Sequence, residues 1–254
     1  MCLSQNDENT RTDDIRLRAA VYLLPVPLSD NGWRRVLPAY NVEVLRPIRH
    51  FAVENVRSAR RFLRSVIHDF PIDGCTFYEL SEHTSLADVG SMLDPVRRGF
   101  PLGVISEAGC PAVADPGASV VAAAQRAGIE VVPLVGPSSI LMSLMGSGFD
   151  GQSFAFQGYL PVDESKRARR LRELERLARA GQTQIFIETP YRNNRLLAQM
   201  LQTLSPQTPV CVASDITGDR QSIVTLPVSA WRTRQYDYNR IPTIFLIGPD
   251  TLRP

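Results

Sequence analysis

Residues 102–134 read LGVISEAGCPAVADPGASVVAAAQRAGIEVVPL, and this stretch decides the fold. Residues 102–106 form a short apolar strand, and the loop Glu107-Ala108-Gly109-Cys110-Pro111 follows it. Asp115 and Pro116 then supply a cap and a first-turn proline for a small-residue helix over residues 118–127, which Gly128 closes. Residues 129–134 are a second apolar strand. Two strands joined by a helical crossover pair in parallel through a right-handed connection. The first half of the chain is therefore expected to be a doubly wound α/β domain.

Further strands are expected on the amino-terminal side at residues 19–26 (AAVYLLPV), 42–48 and 75–80. Ala59, Phe62, Leu63, Val66 and Ile67 recur at helical spacing, and residues 84–98 read as a helix with Gly99 just past its end. On the carboxyl side Gly136-Pro137-Ser138-Ser139 opens a helix that runs through Met145. The glycine-rich, polar stretch 146–153 (GSGFDGQS) reads as a domain linker. Beyond it, strands at 154–157, 184–188, 210–214, 222–226 and 243–248 and helices at 166–180 and 195–204 make a second, mixed α/β domain. The expected division is a polar, disordered lead-in over 1–18, an amino-terminal domain over 19–148 and a carboxy-terminal domain over 149–254.

A chain of 254 residues, 44% hydrophobic and 21% charged, buries two ordinary cores without disulfides or metals. The net charge of +2 argues against a protein coated in nucleic acid and leaves room for a local basic patch. Cys2, Cys75, Cys110 and Cys211 form no close pair, and with His50, His68 and His83 they show no metal-ligand spacing. Reduced thiols, a cytoplasmic location and no metal are the expectation. No apolar run reaches the roughly 20 residues that span a bilayer, and the amino terminus lacks the apolar core of a signal peptide.

Open α/β sheets bind ligands at the carboxyl ends of their strands. The loop from Glu107 to Pro111 lies at such an end, with Gly109 allowing close backbone approach; it reads equally as a tight strand-to-helix connection. At Gly136–Ser139 a helix start offers unpaired N–H groups and hydroxyls to a carboxylate or phosphate, or is simply capped. Glu188-Thr189-Pro190-Tyr191-Arg192 ends another strand, either ordering a polar ligand or closing on itself as an ion pair and cap. His83 is a helix-start residue or a catalytic one. Neither glycine loop carries a dinucleotide or Walker fingerprint. Six arginines between Arg46 and Arg64 face only Glu54, and seven basic residues between Lys166 and Arg179 face two acidic ones. These are solvated faces or an RNA-facing surface, with Arg167, Arg169 and Arg170 expected on an outer helix face.

Taken together, these segments resemble the tetrapyrrole methylase superfamily, and within it the branch of small-subunit ribosomal RNA cytidine 2′-O-methyltransferases. SEAGCPAVADPG at residues 106–117 is similar to that branch's S-D-A-G-T-P…D-P-G signature, and VPLVGPSS at 132–139 to its V-P-x-P-G-P-S segment. FQGYLP at 156–161 is similar to F-x-G-F-L-P, IETPYR at 187–192 to Y-E-S-P-H-R, and VENVR at 53–57 to A-E-D-T-R. The chain departs from the pattern in two places. The T-P-I-G-N-L-G-D loop after the first strand is replaced by LPVPLSD at residues 24–30, and Gly218 stands where a lysine is usual.

The resemblance implies a two-domain homodimer holding S-adenosylmethionine in the interdomain cleft. It implies cofactor contacts at Pro25, Gly109, Cys110, Val113, Ser138 and Ser139, and at Ile187, Ala213, Pro242 and Thr243 from the second domain. The implied acceptor is ribosomal RNA in the small subunit. A ribose hydroxyl needs a base, and Glu54, Glu107 and Glu188 are the candidates; Glu107 comes first because it begins the cofactor loop. Rival readings are a methylase acting on a tetrapyrrole-like small molecule, a non-catalytic module binding S-adenosylmethionine or RNA, and a plain nucleotide-binding α/β protein.

Overall fold

The computed structural model describes residues 15–249. The lead-in expected over 1–18 falls outside the described residues as far as position 14. The chain divides into two compact units, one of Met1–Leu24, Pro38–Glu107 and Pro111–Val135, the other of Pro25–Leu37, Ala108–Cys110 and Gly136–Pro254.

The first unit contains β1 (Val21–Leu24), α1 (Ala39–Leu45), β2 (His50–Val53), α2 (Val56–Val66) and β3 (Thr76–Glu79). It continues with α3 (Leu86–Met92), α4 (Asp94–Arg97), β4 (Leu102–Ile105), α5 (Gly117–Arg126) and β5 (Val131–Pro133). Its five strands run in parallel in the order β3-β2-β4-β1-β5. β1 and β4 are buried throughout, which is why they read as unbroken apolar runs rather than alternating ones. From β1 the chain crosses to β2 on one side; from β4 it crosses to β5 on the other. The neighbours β1 and β4 are therefore the switch point of the sheet, where open α/β sheets place their ligands.

Two expectations fail here. Residues 42–48 are not a strand: α1 covers most of them, because Asn41, Val44 and Leu45 recur at helical spacing and share a buried face. The strand is the next segment, HFAV, too short to stand out in sequence. The helix expected over 84–98 is two helices that meet at Leu93, with Pro95 in the first turn of the second, where its missing N–H costs nothing.

The second unit contains α6 (Ser139–Ser147), β6 (Phe154–Tyr159), α7 (Glu164–Arg179), β7 (Thr183–Ile187), α8 (Asn193–Thr203), β8 (Pro209–Ser214), β9 (Ser222–Pro227), α9 (Val228–Trp231) and β10 (Thr243–Ile247). The strand order is β6-β7-β10-β8-β9, with only the β6–β7 pair parallel. Alternate residues serve opposite faces of this sheet. Phe186, Val212 and Phe245 join α7, α8 and Trp231 in one core. Ile185, Cys211, Ala213, Ile244 and Leu246 join Leu144 of α6 and Phe149 in another. Because α6 belongs to that second core, the chain passes between units at Val135 and Gly136 rather than in the glycine-rich stretch 146–153. That stretch is the turn into β6, with Phe149 buried in it.

The basic residues of α7 do not share an outer face. Arg167 is only 3% exposed. Its Nη1 donates to the carbonyls of Val162 at 3.0 Å and Pro161 at 3.3 Å, and its Nε donates to Gln199 Oε1. Arg170 is half-buried against Gln157 and Glu173, and Arg169 alone of the three is exposed. Arg167→Ala would remove a buried side chain together with its charge-assisted bonds to Pro161, Val162 and Gln199 and is expected to cost roughly 2–3 kcal/mol. Arg169→Ala should stay within about 0.5 kcal/mol of the parent. Chemical denaturation of both variants checks this, and equal midpoints would contradict the anchoring role of Arg167.

Candidate functional site

Four segments far apart in sequence meet in the second unit. Val26 and Gly109 exchange both backbone hydrogen bonds, at 3.0 and 3.2 Å, tying the loop after β1 to the loop after β4. Gly109 has φ +74°, and a Cβ there would sit 3.1 Å from Leu28 Cδ2 and 3.2 Å from the Pro137 carbonyl. At Gly136 a Cβ would fall 2.1 Å from that of Pro25. The Cys110 thiol donates to the Pro137 carbonyl at 3.3 Å. The loops around Pro25, Gly109 and Gly136 thus pack closely, with the Pro25 ring against Gly136 and with Leu28 and the Pro137 carbonyl against Gly109, in a manner that the missing Cβ of each glycine allows.

This cradle leads straight into α6, whose cap is Ser138; its hydroxyl accepts from the Leu141 amide at 3.4 Å. The helix start, with Ser139 as its first residue, directs first-turn N–H groups and a partial positive charge outward. The fourth segment is the loop after β8. Ser29 and Thr217 hydroxyls lie 3.0 Å apart, and Asn31 donates to the Thr217 carbonyl at 3.1 Å and to Asp219 at 2.8 Å. Asp215 and Thr217 both have positive φ, at 49° and 68°. A Cβ at Gly218 would sit 2.1 Å from Asp215 Oδ1, so the lysine usual in the resembled pattern would require the Asp215 side chain, whose Oδ2 accepts from the Arg220 amide, to move.

The strand register gathers three more of the expected residues at one end of the second sheet. Ile187 and Ala213 both pair with Ile244, next to Thr243. Thr243 is buried and donates to the Ile241 carbonyl at 2.8 Å; the Pro242 carbonyl accepts from Asp215 N at 2.9 Å. Of the ten expected cofactor contacts, Val113 alone belongs to the first unit. It is 51% exposed, between Ala112 and Ala114, which have φ of 66° and 60°. Left-handed alanines store strain of the kind found at functional sites, here held by Asp115 Oδ1, which accepts from the amides of Ala112 at 2.9 Å and Gly117 at 2.7 Å.

The three carboxylates differ. Glu188 is 6% exposed and spent on structure: it accepts from Arg192 at 2.6 Å and from the Thr189 amide at 2.7 Å. Glu107 is exposed. Glu54, at the carboxyl end of β2 in the same unit, is half-buried and accepts the Glu107 amide at 3.3 Å. Burial pushes its carboxyl above the ordinary range; the Glu107 amide opposes this, and the Asp115 and Glu107 charges add to it. The Cys110 thiol is likewise raised by burial, which makes it a neutral donor and not a nucleophile.

Two features escaped the sequence. The amide and carbonyl of Gly109 are spent on Val26, so its contribution is close approach rather than donation to a ligand. The contacts of Ser29 and Asn31 with Thr217 and Asp219 had no local signal, although both loops are where the chain departs from the resembled pattern.

The family model described as Tetrapyrrole (Corrin/Porphyrin) Methylases matches residues 54–230. A protein of Vibrio cholerae named ribosomal RNA small subunit methyltransferase I is 30% identical over 82% of this chain and 69% of its own length. The protein of the same name from Micromonospora olivasterospora is 30% identical over 85% of this chain and 66% of its own. Among solved structures, the methyltransferase CobJ superposes with a TM-score of 0.61 at 17% identity, covering 91% of this chain and 94% of that one. The cobalt precorrin-4 methyltransferase CbiF superposes with a TM-score of 0.53 at 17% identity, covering 91% and 95%. These two likenesses are of fold.

Proposed function

From the premise that this chain belongs to the tetrapyrrole methylase family, we propose that it transfers a methyl group from S-adenosylmethionine to a ribose hydroxyl of small-subunit ribosomal RNA. The observation that carries the donor half is the close packing of the loops around Pro25, Gly109 and Gly136, leading into α6, where a side chain at either glycine would press on the facing loop. The names of the relatives at 30% identity support the acceptor half.

In this reading the start of α6, with Ser138 and Ser139, receives the carboxylate of the cofactor, which suits a helix amino terminus. Pro25, Gly109 and Cys110 line the approach, and Ile187, Ala213, Pro242 and Thr243 contribute from the end of the second sheet. When bound, the cofactor supplies a methyl group on a sulfonium sulfur, an electrophile that needs alignment more than covalent help. Glu54 takes the proton of the acceptor hydroxyl. It is preferred to Glu107 because partial burial keeps its carboxyl a stronger proton acceptor, and to Glu188 because Arg192 already occupies that group.

A cytoplasmic homodimer completes the proposal. Leu141 and Met145, one turn apart on α6 and 50% and 82% exposed, support it as apolar area left for a second copy. A monomer in sedimentation at micromolar concentration would contradict the dimer. Calorimetry of the full chain with S-adenosylmethionine tests the donor: saturable binding is expected, and an absence of heat at any concentration would sink the cofactor assignment.

A further inference from the structure

Helix α2 exposes Arg57, Arg60, Arg61 and Arg64, spaced i, i+3, i+4 and i+7 on the side opposite its buried Ala59, Leu63 and Val66. They form one cationic stripe two turns long. No ion pair among the described residues involves any of the four. The first turn contains no acidic residue, and the cap, Asn55, is neutral. Arg57 thus lies at the positive end of the helix dipole, and each like-charged neighbour one turn away weakens the helix further. Arg60 on the Phe77 ring and Arg64 in the last turn offset part of this cost, and no carboxylate among the described residues pairs with the stripe.

Neighbouring groups stiffen the stripe. The guanidinium of Arg60 lies 5.2 Å from the Phe77 ring centre, and that of Arg49 lies 5.4 Å from Phe70. Arg49 Nη1 is held by the carbonyls of Arg46 at 2.7 Å and Ile48 at 2.8 Å. The second basic helix, α7, is different. Arg167 is consumed inside the fold, Arg170 pairs with Glu173 and Arg179 with Glu175. The exposed Arg169 and Arg176 lie within electrostatic reach of the Glu173 carboxylate. α7 is a mixed surface, whereas α2 presents charge of one sign.

We propose that the arginine stripe of α2 is the docking surface for the phosphate backbone of the acceptor RNA, and that it, rather than α7, supplies the salt-sensitive part of binding. The inference rests on the ribosomal RNA reading above. A polyanion fits because it neutralises several fixed cations at once and releases its counterions, and arginine matches phosphate oxygens in bidentate geometry.

The test compares the full chain with the variant Arg57→Gln/Arg61→Gln/Arg64→Gln, leaving Arg60 on its ring. The probe is deproteinised small-subunit ribosomal RNA, titrated over a range of potassium chloride. Three lost phosphate contacts should flatten the slope of log affinity against log salt by about two to three. Thermal stability should not fall, since repulsion is removed, and S-adenosylmethionine affinity should be unchanged. The matched variant Arg169→Gln/Arg172→Gln/Arg176→Gln should keep most of the parent's slope. If the parent binds RNA steeply and the α2 variant keeps its slope, the stripe is overturned while the RNA reading stands. If the parent binds no RNA even at low salt, both fall together. Loss of binding to anionic phospholipid vesicles with RNA binding intact would make α2 a membrane-facing surface and overturn the proposal.

Discussion

Gly109→Val is expected to weaken S-adenosylmethionine binding strongly while leaving both cores folded. A β-branched residue is poorly tolerated at φ +74°, and left-handed backbone costs a non-glycine residue about 1–2 kcal/mol. The added Cβ meets the Pro137 carbonyl and Leu28, so relief must come from parting the loops around Gly109 and Gly136. Those loops are the proposed binding surface, so affinity should fall by roughly 100-fold, about 2.8 kcal/mol. Calorimetry reads the affinity and circular dichroism the fold. A variant that binds the cofactor like the parent would show that the cradle is a structural turn and the site lies elsewhere.

Glu54→Gln should lower the rate of methyl transfer by about 10²–10⁴-fold, the usual worth of a positioned base, with little change in cofactor affinity. The sign of the pH effect separates this role from a structural one. A base must be ionised, so the parent's rate should fall as pH drops through the Glu54 pKa, and burial places that limb above the range of an exposed glutamate. The limb should vanish in the variant. A raised carboxyl pKa also means that the folded chain holds the proton more tightly than the unfolded one. Stability contributed by the protonated group is therefore lost as pH climbs from the unfolded to the folded pKa. The amide variant should accordingly be no less stable than the parent at neutral pH. A destabilised Glu54→Gln with a normal rate would reassign the residue to structure and return attention to Glu107.

Much of this was legible because the chain punctuates itself. Asp115-Pro116-Gly117 and Gly128 bracket α5 so sharply that the β4–α5–β5 crossover, and with it the doubly wound sheet, follows from local chemistry, although the two strands each pair with β1, which lies between them, and not with each other. The glycines of the cradle were visible for the same reason, since each stands in the loop that follows an apolar strand. What failed was decided by tertiary contact. Val42 and Val44 have the β-branching of a strand, yet the buried face of α1 overrides that preference. Arg167 and Arg169 are the same residue two positions apart on one helix, and only the loop at Pro161 and Val162 makes one of them an internal anchor. The approach of Ser29 to Thr217 spans 188 residues and depends on how two departures from the family pattern fit each other. Asn31 donates to the Thr217 carbonyl in the loop where Gly218 stands, so the two departures meet in one set of contacts.

The most direct test of the account is methyl transfer from labelled S-adenosylmethionine to small ribosomal subunits that lack their usual methylations, with the product RNA digested to nucleosides and the label located. Label on a single ribose oxygen, dependent on Glu54 and much reduced in Gly109→Val, is the predicted result. No label in the RNA, with the parent still binding S-adenosylmethionine and methylating a tetrapyrrole-like small molecule, would contradict the RNA assignment and move the acceptor to that class.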